Sequence, residues 1–207
     1  MESYPFNADG LEQETIELYF DTYNELKSKL ELCGMGHIDF HLDQFEVFKN
    51  IDRLRVLGSF AIKQHNGNDC YVLFVEKSYK YISGRGNNAD GDDYQTWVLV
   101  YLKNDFDRVL IRRETLADKL IELVHPVELD FEDDKAFSDT FYVLVNDRNK
   151  AIRGMDRNFR NAVMDLRHDH FIIEILGHTL IAGIQGPMLP GMTVHLAEFA
   201  ERLCKLC

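Results

Sequence analysis

The sequence has few of the residues that mark unusual chains: 4 prolines, 13 glycines and 4 cysteines among 207 residues. Scarce proline and glycine exclude collagen-like repeats and low-complexity disorder. So few cysteines exclude a disulfide-dense scaffold, and a chain of this length buries about 70% of its unfolded surface without such staples. Long apolar runs are missing too. The longest, Cys70–Val75 and Trp97–Leu102, are short, and the richer stretch from Phe171 to Ile184 is broken by Glu174 and His178. None approaches the ~20 residues of a membrane helix, so no membrane span is expected. Basic residues are the minority, 23 Lys and Arg against 35 Asp and Glu, giving a formal charge of −12. That average field repels phosphate backbones and anionic headgroups, so no nucleic-acid partner is expected. Met1–Gly10 carries Glu2 and Asp9 with no base and no apolar run. Without a secretory or transit signal the expected location is cytoplasmic, with Cys33, Cys70, Cys204 and Cys207 as reduced thiols.

Catalytic signatures are equally thin. There is no G-x-S-x-G, Lys-bearing phosphate loop or HExxH. Gly84-Arg85-Gly86-Asn87-Asn88-Ala89 approximates a dinucleotide fingerprint but joins two predicted strands instead of a strand and a helix, so no dipole faces a pyrophosphate. Asn88, Asp90 and Asp92 mimic the start of a calcium loop, yet Asp93 and Leu99 occupy the glycine and bidentate-glutamate positions. Cys204 and Cys207 have redox spacing at the end of a predicted helix, where its amino-terminal dipole cannot lower a thiol pKa. His37 and His41 could chelate only on a helix, which Gly34 and Gly36 oppose. The richest donor set is His168, Asp169, His170, Glu174 and His178. On a strand, His170, Ile172 and Glu174 share a face, but His170 and Glu174 lie ~13 Å apart, too far for one ion. No cofactor and no metal are assigned.

What is present reads as an α+β domain. Ile16, Tyr19, Phe20, Tyr23, Leu26 and Leu30 form a stripe predicting a helix over about 11–32, with Asp9 and Glu12 as a capping box. Residues 1–50 hold 11 acids and 3 bases, a balance of −8. From Leu54 the period becomes two: 54–62, 70–75, 96–101 and 108–111 are strand-like runs, separated by turn chemistry at 65–69, 83–93 and 103–105. Four successive strands with short links predict an antiparallel meander. Thr115–Val124 reads as a helix before Pro126, Thr140–Val145 as a strand, Arg157–Leu166 as a helix, and Phe171–Ile175 with Thr179–Ala182 as a hairpin turning at Gly177-His178. Thr193–Cys207, with Leu196, Phe199, Leu203 and Leu206 on one side, closes the chain as a helix. The predicted organisation is one α+β unit over 1–207 with a mostly antiparallel sheet: an amino-terminal helix at about 11–32, a core at about 54–184 and a carboxyl-terminal helix at about 193–207.

An ordered series of short motifs carries a resemblance. Gln95-Thr96-Trp97-Val98, then Val109 to Glu114, Asp130-Phe131 with Phe137-Ser138, Asp147 with Ile152-Arg153, and Glu174 with Gly177 and Leu180 resemble a bacterial family of uncharacterised proteins. Its stretches read QTV, FxLRPE, DIDF with FS, and a VEG-like strand turning at glycine. The resemblance spans roughly 57–182, with Asp107 and Arg113 where the family has prolines. It implies a single fold unit and no catalysis. Read physically, Arg112 and Glu114 form a strand-end ion pair, and Phe131, Phe137 and Phe141 pin a helix against the sheet.

The one basic cluster contains Arg153, Arg157 and Arg160, which at helical spacing would share a face and form an anion or partner patch. The functional expectation is therefore a non-enzymatic protein-interaction or structural domain, with a protein partner or self-association. The alternatives are a metal-dependent hydrolase using His168, His170, Glu174 and His178, or a small-ligand or anion-binding module.

Overall fold

The computed structural model describes residues 4–36, 38–49, 51–64, 70–82, 88–113, 127–184, 186 and 188–206. The predicted helix at Thr115–Val124, Glu114, His37 and the glycine-rich stretch 83–87 lie outside these residues. Among the described residues nine strands form one antiparallel sheet. They are β1 (Leu32–Gly34), β2 (Arg53–Ile62), β3 (Cys70–Ile82), β4 (Asn88–Tyr101), β5 (Arg108–Arg113), β6 (Val127–Glu128), β7 (Phe141–Val145), β8 (Phe171–Leu176) and β9 (Thr179–Ile184). The α-helices are α1 (Gln13–Lys29), α2 (Lys135–Ser138), α3 (Arg148–Gly154), α4 (Arg157–Asp165) and α5 (Pro190–Leu206). This is the expected α+β class, with helices near both ends of the chain.

The meander is interrupted. Spatial order runs β1-β2-β3-β4-β9-β8-β5-β7-β6, so the carboxyl-terminal hairpin separates β4 from β5. The link after β4 clasps the hairpin turn: Leu102 N–H donates to His178 O at 2.7 Å, Phe106 N–H to Gly177 O at 2.9 Å, and Gly177 N–H to Asp107 O at 2.6 Å. The turn itself matches its prediction, with Leu176 opposite Thr179 and Gly177 at φ +59°, a conformation that favours glycine. The segment read as a loop over 83–93 also needs correction: Asn88–Asp93 are strand residues paired with Lys77–Ile82, so Asn88, Asp90 and Asp92 lie on extended backbone and not in a calcium loop.

One sheet face is covered by helices. Tyr19 and Leu26 of α1, Phe159 and Val163 of α4, and Leu196, Phe199 and Leu203 of α5 pack on Phe60, Phe74, Val98, Val100, Ile173 and Ala182. Leu26 and Tyr19 keep the predicted stripe, but Phe20 is 38% exposed, one helical step off it, and meets the Tyr4 ring edge-on. The predicted capping box does not form; α1 starts after Glu12 without a side-chain cap. Asp9 instead donates its N–H to Asn7 Oδ1 and offers its carbonyl to Arg55. Among the described residues no α-helix lies over the opposite face. A strap, Ile38–Lys49, crosses it in two 3₁₀ turns, Leu42–Gln44 and Glu46–Phe48, and buries Phe40, Leu42, Phe45, Val47 and Phe48 against Leu73, Val75, Trp97, Leu99, Leu110, Ile172 and Ile181.

Candidate functional site

The strap is tied down by a charge embedded in apolar surroundings. Glu174, 0% exposed in mid-β8, accepts the N–H of Val47 at 3.1 Å. Arg108 Nη1 lies 3.5 Å from its second oxygen and donates to Glu46 Oε1 at 2.6 Å, while Nη2 reaches Gln44 O at 3.3 Å. Lys49 pairs with the same Glu46. Burial pushes the Glu174 carboxyl above its ordinary range, opposed by the strap amides and Arg108. Lys77, 6% exposed, sits 4.7 Å from the ring centre of Phe48, the strap residue next to Val47, and 4.6 Å from that of Trp97. Desolvation lowers its amine to about 8, with Asp93 opposing the shift.

The strap leaves a groove along β2. A bulge between Val56 and Gly58 shifts the alternation of this strand, so Leu54 and Val56 face the strap while Leu57, Phe60 and Ile62 face the helices. One cleft of about 340 Å³ opens between Tyr4–Asn7 and Gly34–Gly36, floored by Val56–Ser59. It is bounded by backbone bonds from Asn7 N–H to Leu57 O at 2.7 Å and from Met35 N–H to Ser59 O at 3.0 Å. A second cleft of about 330 Å³ is lined by Ile38, Asp39, Phe40, Leu42, Asp43, Leu54 and Val56. The two share Ile38 and Val56, which makes them one continuous groove. Ile38, Leu54 and Val56 are partly exposed, and Asp39 and Asp43 stand fully out at its rim. Such a surface offers apolar contact and negative charge to a bound segment.

The predicted donor set does not converge. His168 and His170 are exposed, His178 Nδ1 is 3.2 Å from Leu102 O, and Glu174 is engaged by the strap. Among the described residues no three His, Cys, Asp or Glu side chains are grouped to hold a metal ion. Asp169 turns instead to His195 of α5, with Oδ2 2.8 Å from Nδ1.

The arginine patch is divided. Asp147 caps α3 by accepting from Asn149 and Lys150, and Asp156 caps α4 by accepting from Phe159, so the helix breaks between Arg153 and Arg157 and they share no helical face. Arg160 is 4% exposed, donates to Asp134 at 3.0 Å, Asp133 at 2.6 Å and Met155 O at 3.1 Å, and lies over the Phe131 ring. Arg153 and Arg157 remain exposed. Sequence reading could not separate Arg160 from them because its partners lie 26 and 27 residues away.

The motif residues hold structure. Gln95 accepts the Trp97 indole N–H at 3.0 Å, and Ser138 Oγ accepts the Phe131 N–H at 2.8 Å. Phe137 packs between Phe131 and Phe141, and Arg112 lies 5.3 Å from the Tyr142 ring centre. The strap, Lys77 and the groove were not anticipated. Their one signal was the apolar density of residues 38–48, where the alternation of Ile38, Phe40 and Leu42 breaks at Phe45 because 3₁₀ turns follow.

Among the described residues no helix is long and apolar enough to cross a membrane. No family model and no curated protein matches the chain. Among solved structures it is similar in fold to the crystal structure of the mycobacterial trehalose monomycolate transport factor A. The TM-score is 0.56 and the identity 9%, covering 89% of this chain and 91% of that one.

Proposed function

We propose that this chain is a non-enzymatic module that works through protein contacts, and that the groove beside the strap is its contact surface. The observation that carries the reading is the groove itself. Partly exposed Ile38, Leu54 and Val56 form an apolar floor that water covers in the isolated chain, bordered by Asp39 and Asp43. An apolar strip with a polar rim is the anatomy of a protein interface. The solved neighbour is named as a transport factor, which supports a binding role on this fold; its ligand is not carried over. The ordered motifs quoted above fit the same reading, since their residues hold the sheet and strap together.

A photo-crosslinking residue at Val56 tests this directly. The expected result is a covalent adduct with another polypeptide from position 56 and none from exposed Ile152 on α3. The hydrolase reading takes over if untagged protein carries stoichiometric zinc that disappears on replacing His168, His170 or His178.

A further inference from the structure

The charge around the groove is one-sided. Of the described residues lining its two lobes, only Asp39 and Asp43 are charged. Asp39 meets His41 at 3.4 Å, where both side chains are largely exposed. Asp43 has no ion pair among the described residues. The two arginines of β2 are turned away and engaged elsewhere. Arg53 and Arg55 alternate with Leu54 and therefore point to the other face of β2, where Arg55 binds Glu76 at 2.8 Å and Arg53 stands 3.6 Å from it. The wider field has the same sign, because residues 1–50 hold 11 acids and 3 bases.

We infer that the groove receives a short segment of a partner protein in which apolar side chains are interspersed with lysine or arginine; this rests on the contact role proposed above. The apolar side chains lie on Ile38, Leu54 and Val56, and the cations reach Asp39 and Asp43. Alternative occupants fit the charge less well. A fatty acid or phosphate headgroup brings an anion to two carboxylates with no compensating base among the described lining residues. A second copy carries the same −12 and the same acidic first fifty residues. Exposed rim carboxylates give speed and selectivity for a cationic segment, while the apolar floor supplies the holding contact.

The full chain is titrated into two fluorescein-labelled, end-capped synthetic peptides, one alternating valine with lysine and the other valine with glutamate, and anisotropy is read. The lysine peptide should bind at least about ten-fold more tightly, the effect of two weak surface ion pairs against two repulsions. Its affinity should fall with added salt. The double variant Asp39→Lys with Asp43→Lys changes only exposed side chains and should reverse the preference, whereas Val56→Asp should weaken the lysine peptide at unchanged rim charge. Equal binding of the two peptides, or a preference that survives the Asp39/Asp43 reversal, overturns the proposal. So does concentration-dependent dimerisation abolished by that double variant, which assigns the groove to a second copy. If position 56 still crosslinks to another protein while the peptides show no charge preference, the occupant is wrong and the contact role stands; loss of both removes the role as well.

Discussion

Glu174 and Val47 lie 127 residues apart in sequence, yet the buried carboxylate of one accepts the amide of the other at 3.1 Å and fixes the strap to the sheet. A glutamate in this environment is tolerated because its neighbours are donors. The Val47 N–H and the Arg108 guanidinium at 3.5 Å replace part of the lost hydration.

Glu174→Gln should make the protein's stability less sensitive to pH. Burial raises the folded-state carboxyl above its ordinary value of 4.5, so the folded chain holds the proton more tightly than the unfolded chain. That contribution is fully present below 4.5 and is lost as pH rises through the raised folded value. Urea midpoints of the native protein relative to Glu174→Gln should therefore decline from about pH 4.5 toward neutrality; a difference that stays constant with pH refutes the assignment. Glu174→Ala leaves the buried Val47 amide without its acceptor, while Arg108 keeps Glu46 and the Gln44 carbonyl, and should destabilise by about 1–3 kcal/mol.

Lys77 carries the opposite linkage. A fall from 10.5 to about 8 means that the unfolded chain binds the proton more tightly, so stability rises as pH climbs between these values. Lys77→Met should stabilise at neutral pH by up to roughly 3 kcal/mol, less the lost cation–π contacts. The advantage should vanish by about pH 10.5, read as melting temperatures of both proteins across the range. A variant whose advantage over the native protein is no larger at neutral pH than at high pH contradicts a depressed amine.

Gly183→Ala tests the floor beneath the strap. A Cβ at this position would stand 2.3 Å from Trp97 Cδ2, so the indole must shift and carry Phe48 with it, whose ring centre is 4.8 Å away. Overpacking of this kind costs about 1–3 kcal/mol. Trp97 is the single tryptophan, so its fluorescence should move toward longer wavelength. An unchanged spectrum and stability would mean that the sheet yields there more easily than its packing implies.

The arginines should separate in one comparison. Arg160→Met removes the partner of Asp133 and Asp134 and should destabilise by roughly 3 kcal/mol. Reversing exposed Arg153 and Arg157 to glutamate should change stability by no more than about 0.5 kcal/mol. Equal effects from the two changes would return Arg160 to the surface.

The sequence by itself determined whatever depends on neighbours a few residues apart. The apolar stripe through Tyr19 and Leu26 marked α1, the β-branched and aromatic runs around Val72 and Val98 marked strands, and Gly177 marked the turn between β8 and β9. Asp147 and Asp156 sit where they can cap the helices that follow, a signal confined to three residues each. Tertiary structure alone decided the rest. The hairpin enters between β4 and β5 because backbone groups at 102–107 bond to its turn, and no local pattern encodes that pairing. The bulge beside Gly58 moved Val56 onto the strap face, although the strand reads as uninterrupted in sequence. Arg160 left its patch for carboxylates 26 and 27 residues upstream, and Glu174 left the histidines beside it for the amide of Val47. For Arg160, Glu174 and the backbone at the hairpin turn, a charged or polar group leaves water only where folding brings a partner within hydrogen-bond distance. That distance is a property of the assembled sheet and not of any stretch of the chain.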